Sequence, residues 1–89
     1  MADWQGNIFG TNMARYEVVR VFEDAANAAY RDGDTTLSAM FDRFALNLSS
    51  GGEHLLLDSV QFELDRDPEF YNDLMDYLPR ELVVGIAGN

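Results

Sequence analysis

The stretch Glu53-His54-Leu55-Leu56-Leu57-Asp58-Ser59-Val60-Gln61-Phe62-Glu63-Leu64-Asp65 decides whether this chain is all helix or helix plus sheet. Val60, Phe62 and Leu64 alternate with Ser59, Gln61, Glu63 and Asp65, the pattern of a half-buried strand. His54, Asp58, Gln61 and Asp65 instead recur at steps of four, three and four, a narrow polar stripe at helical period. On a helix Leu56, Leu57, Val60 and Leu64 share a face, leaving Leu55 and Phe62 together on a flank. Ser50 and Glu53 add the Ser-x-x-Glu spacing of a capping box. The helical reading is preferred.

Upstream, Ser49-Ser50-Gly51-Gly52 reads as a break. Before it, Leu37, Met40, Phe41, Phe44, Ala45 and Leu48 fall on one side of a helix that Thr35 or Thr36 caps and that reaches about Ser49. Another helix is expected from an Asn12 cap to about Arg31, burying Ala14, Val18, Val21, Phe22, Ala25, Ala28 and Ala29. Glu17, Arg20, Asp24, Asn27 and Arg31 take its solvated side, with Glu17/Arg20 and Arg20/Asp24 spaced to pair. Asp32-Gly33-Asp34 ends it, Gly33 suiting the left-handed cap. Residues 1–11, with Trp4, Ile8 and Phe9, read as an irregular arm whose aromatics dock on the core.

Downstream, Asp67-Pro68-Glu69 is a strong helix start: Asp caps, Pro takes the first helical position, and acids occupy the first turn. That helix should run to about Leu78 and bury Phe70, Tyr71, Leu74 and Leu78. Pro79 interrupts or restarts it, and residues 80–89 read as a short helix or an extended tail, with helix favoured. The fold expected is all-α: one small, compact bundle of four to five helices with an irregular N-terminal arm.

Composition supports a folded chain. Apolar residues make up 47% of its 89 residues, with six Phe, four Tyr and one Trp, so acidity does not imply disorder here. No cysteine is present, which removes disulfides and thiolate zinc sites. Met1-Ala2-Asp3-Trp4 shows neither a basic start nor an apolar stretch, so a cytoplasmic protein is expected.

Sixteen acids oppose six basic residues, all arginine, for a formal net charge of −10. Such a field repels nucleic acid and anionic membranes and attracts basic protein surfaces. A GC-rich or salt-loving source would also produce this balance. The charge is uneven, however: residues 1–52 hold seven acids and four arginines, a net −3, and residues 53–89 nine and two, a net −7. Glu69, Asp73 and Asp76 stand at i, i+4 and i+7, opposite Phe70, Leu74 and Leu78. Their carboxylates rise by roughly 6 and 4.5 Å along a helix axis, comparable with phosphates spaced about 3.4 Å apart on one DNA strand. Asp58 and Asp65 form a second row.

No nucleophile elbow, phosphate loop or dinucleotide fingerprint occurs. His54 is the lone histidine, and its i+4 relation to Asp58 suits a solvated edge better than a catalytic base. Asp65, Asp67, Glu69, Asp73 and Asp76 partly match a calcium loop, but Phe70 stands where glycine is required. No metal or cofactor is therefore expected, and no enzymatic activity. The expected protein is a non-enzymatic inhibitor that mimics nucleic acid and blocks a basic nucleic-acid-binding effector through Asp58, Asp65, Asp67, Glu69, Asp73 and Asp76. Small acidic phage proteins directed against restriction or CRISPR effectors are similar to it in size and charge. One alternative is an immunity protein or antitoxin neutralising a basic toxin. Another is an assembly subunit whose apolar helices associate with copies of itself.

Overall fold

Residues 6–88 are described by the computed structural model, and the expectation for Trp4 lies outside them. Residues 53–65 are helical. The chain forms α1 (Arg15–Arg31), α2 (Thr35–Leu46), a π-helical turn (Asn47–Gly51), α3 (Glu53–Arg66), α4 (Phe70–Tyr77) and α5 (Arg80–Ala87). Among the described residues there is no strand beyond an isolated antiparallel bridge between Asn7 and Ala14. The all-α expectation therefore holds, and the segment after Pro79 is a fifth helix.

Helices α1 and α2 pack as a hairpin. Ala25, Ala26 and Ala29 are buried along α1, and their small side chains let α2 approach closely enough for Ser38 Oγ to donate to the Ala26 carbonyl at 2.8 Å. Val18, Phe22, Phe41, Phe44 and Leu48 fill the seam. Phe44 meets Phe22 edge-on at 5.7 Å and Phe70 at 6.1 Å, so it joins the hairpin to α4. Leu56 and Val60 from α3, Leu74 from α4, and Leu82 and Val83 from α5 close the same core. Leu57, Leu64 and Tyr71 are only half-buried, while Leu55 and Phe62 lie on the exposed flank that helical spacing assigns them. Ala26 joins the buried α1 stripe, while Ala14, which precedes the helix, and Val21 and Ala28 are only half-buried. The arm docks as expected through Phe9, whose carbonyl lies against Gly85 of α5 so closely that an added Cβ would stand 2.1 Å from it.

The structure corrects several end signals. Asn12 is exposed and does not cap α1. Thr11 is the buried residue there: its hydroxyl donates to the Ile8 carbonyl at 2.7 Å and accepts from the Met13 N–H at 3.0 Å, holding the turn before the helix. Glu17 folds back to accept from the Ala14 N–H at 2.9 Å, which takes it away from Arg20. Neither Glu17/Arg20 nor Arg20/Asp24 forms an ion pair, in keeping with the small value of exposed pairs. Asp34, rather than Thr35 or Thr36, caps α2 by accepting from the Leu37 N–H. That helix continues into the π turn, where Ser50 Oγ donates back to the Leu46 carbonyl instead of forming a capping box with Glu53. Asp67 accepts from the Glu69 N–H at 3.1 Å, so Pro68 and Glu69 form a lead-in turn and α4 itself begins at Phe70. The Gly33 cap is as read, with a φ of +88°.

Candidate functional site

The α1–α2 hairpin brings the loop Asp32–Asp34 beside α4, which the local spacing of the sequence does not reveal. The Tyr77 hydroxyl donates to Asp32 Oδ2 and ties the two segments together. That bond to a carboxylate, helped by desolvation and by the charges of Asp32, Asp34 and Asp76, pushes the Tyr77 phenol up to about 12. Asp73 stands at the centre of the acidic groups. Partial desolvation, then the negative charges of Asp34, Asp76, Asp67 and Glu69, push its carboxyl above its ordinary value of 3.8. Four of the six carboxylates selected from sequence, Asp67, Glu69, Asp73 and Asp76, are thus neighbours, and Asp34 joins them from another part of the chain.

Asp58 and Asp65 are not part of that group. Asp65 is exposed and accepts from Gln61 Nε2 at 2.9 Å along α3. Asp58 lines a separate groove of about 170 Å³ with Arg43, Phe44, Ser59, Phe62 and Glu63. The carboxylates singled out from the sequence thus form one cluster around α4, with Asp58 and Asp65 apart from it on α3.

A larger groove, of about 330 Å³, opens where the start of α2, the end of α3 and the start of α4 meet. Leu37, Met40 and Phe70 line it together with Asp34, Glu63, Arg66, Asp67 and Asp73. Four carboxylates against one guanidinium leave the lining at a formal −3. Arg66 pairs with Glu63 at 3.6 Å and lies over the Phe62 ring at 5.4 Å. This is the one ion pair among the described residues. Helix dipoles at the starts of α2 and α4 would favour an anion here, but the caps from Asp34 to Leu37 and from Asp67 to Glu69 already occupy those amides with carboxylate.

Comparison with protein-family models, curated proteins and solved structures returns no match. The chemistry is consequently read from the side chains alone. His54 is exposed and makes no hydrogen bond to Asp58 among the described residues. No group of three or more His, Cys, Asp or Glu side chains among those residues is arranged to hold a metal ion. No described helix is long and apolar enough to cross a membrane. What the arrangement offers is a concentrated, nearly unpaired negative surface with a groove in it.

Proposed function

We propose that this protein is a non-enzymatic binding protein whose acidic face occupies the basic, nucleic-acid-binding surface of another protein. One observation carries the reading. Asp34 converges with Asp67, Glu69, Asp73 and Asp76, while a single ion pair, Arg66–Glu63, neutralises acids among the described residues. Keeping like charges together costs a helix a few tenths of a kcal/mol per pair, a cost that a cationic partner offsets on binding. A phage inhibitor of a restriction or CRISPR effector and an immunity protein against a basic toxin are two settings for this same interaction.

The test is to isolate the partner on immobilised protein and ask whether nucleic acid competes for it. A basic protein is expected, released as salt rises towards about 0.15 M, where charges are screened beyond roughly 8 Å. The triple change Glu69→Gln, Asp73→Asn and Asp76→Asn should weaken capture mainly by slowing association. A partner that survives high salt and ignores the triple change would overturn the reading.

A second reading rests on Leu46, Leu55 and Phe62, which are 63%, 44% and 59% exposed and flank the Asn47–Ser59 hydrogen bond between the π turn and α3. An apolar surface of this kind suits self-association, and sedimentation at high salt distinguishes it: the subunit assembles there, whereas the electrostatic binder stays monomeric.

A further inference from the structure

We infer that the groove between α2, α3 and α4 receives an arginine side chain of the basic partner, an inference that rests on the reading above and adds a specific occupant to it. At about 330 Å³ the groove lies at the small end of ligand pockets, which span roughly 300–1,000 Å³, so it takes one long side chain and not an extended segment. Arg66 in its lining is taken up by Glu63 and Thr36 is uncharged, which leaves two kinds of surface for an occupant. Leu37, Met40 and Phe70 supply apolar surface, and Asp34, Asp67 and Asp73 supply carboxylates from separate elements. An arginine divides in the same way, with an apolar stem and a charged head.

Arginine fits this lining better than lysine does. A guanidinium is a planar fork with five donors that can engage more than one carboxylate at once, and it is more weakly hydrated than an ammonium. Asp34 and Asp67 already accept one backbone N–H each, which fixes their orientation while leaving further lone pairs. Asp73 has no hydrogen-bonding or cationic partner among the described residues. An anion is the wrong occupant, because the lining carries a formal −3 and its helix starts are capped.

The experiment uses the whole protein and two blocked peptides of equal length and charge, one carrying arginines and the other lysines, titrated at low salt. Thr36 lines the groove and is exposed, so Thr36→Trp fills the space without changing any charge. The pair Glu69→Gln and Asp76→Asn removes two charges outside the groove. The arginine peptide is expected to bind about tenfold tighter than the lysine peptide, with Thr36→Trp removing that preference. The outer pair should lower both affinities by a similar factor and keep the preference. Equal binding of the two peptides to the unaltered protein overturns the inference, as does failure of the arginine peptide to bind. So does a Thr36→Trp protein, helical by circular dichroism, that still prefers arginine. A Thr36→Trp protein that loses the preference yet still captures a basic protein in competition with nucleic acid supports the inference. Capture that fails while the arginine preference stands removes the nucleic-acid-mimic reading and leaves the groove's specificity intact.

Discussion

Asp73 concentrates the physics of this molecule in one side chain. It sits in the first turn of α4, where the helix dipole favours a negative charge. Partial desolvation and four neighbouring carboxylates outweigh that benefit and raise its pKa. A raised carboxyl pKa means the folded state binds the proton more tightly than the unfolded state does. Stability then falls as pH rises from the ordinary value of 3.8 through the raised one, and the cost of the ionised form persists at neutral pH. Asp73→Asn should therefore melt higher than the parent at pH 7, and the two curves should converge as pH drops below 3.8. Thermal melts by circular dichroism across that range test the point. A variant that melts lower at pH 7 would show that Asp73 stabilises the fold. None of this is visible from the sequence, which shows the Glu69/Asp73/Asp76 row but not the approach of Asp34 from across a helix hairpin.

At the scale of elements, periodicity was a better guide than end signals. The interiors of α1 to α4 follow from apolar residues at three- and four-residue steps, whereas the segment after Pro79 reads as either a short helix or an extended tail, with helix favoured. The polar stripe His54/Asp58/Gln61/Asp65 correctly outweighs the alternation Val60/Phe62/Leu64. Caps were less legible because several candidates stand together at each start, and tertiary contacts select among them. Thr11 is drawn into the arm's own turn, and Asp34 takes the Leu37 amide in place of two adjacent threonines. The π turn was legible only as a break. The fifth helix carries a further dependence, since Gly85 lets the Phe9 backbone lie directly on α5. Gly85→Ala would improve intrinsic helix propensity by nearly 1 kcal/mol. It would also set a Cβ 2.1 Å from the Phe9 carbonyl, so the arm must shift. The expected result is a lower melting temperature, with increased amide exchange confined to residues 8–14 and the last helix. An unchanged or higher melting temperature would mean that the arm contributes little to the fold.

For the whole molecule, the decisive quantity is how far one charge acts on another. The chain carries a net −10 in a body of about 43 × 25 × 22 Å. At 0.01 M salt the screening length is roughly 30 Å, and at 0.15 M it is about 8 Å. In dilute salt each carboxylate therefore repels others across both shorter dimensions of the protein, whereas at physiological salt it acts only on its neighbours. Folding brings the acids of residues 6–88 closer together, with a single ion pair among those described residues, so salt should stabilise the fold. Binding to a basic surface depends on the same field and should weaken over the same range. The two responses must have opposite sign: the melting temperature rises between 0.01 and 0.15 M sodium chloride while association with the partner slows. A protein whose acidity only reflects a salty or GC-rich source shares the first response and lacks the second. Measuring melting and association rate in one salt series thus separates charge kept for a partner from charge that merely accompanies the composition. An association rate indifferent to salt would reject the acidic face as the binding surface.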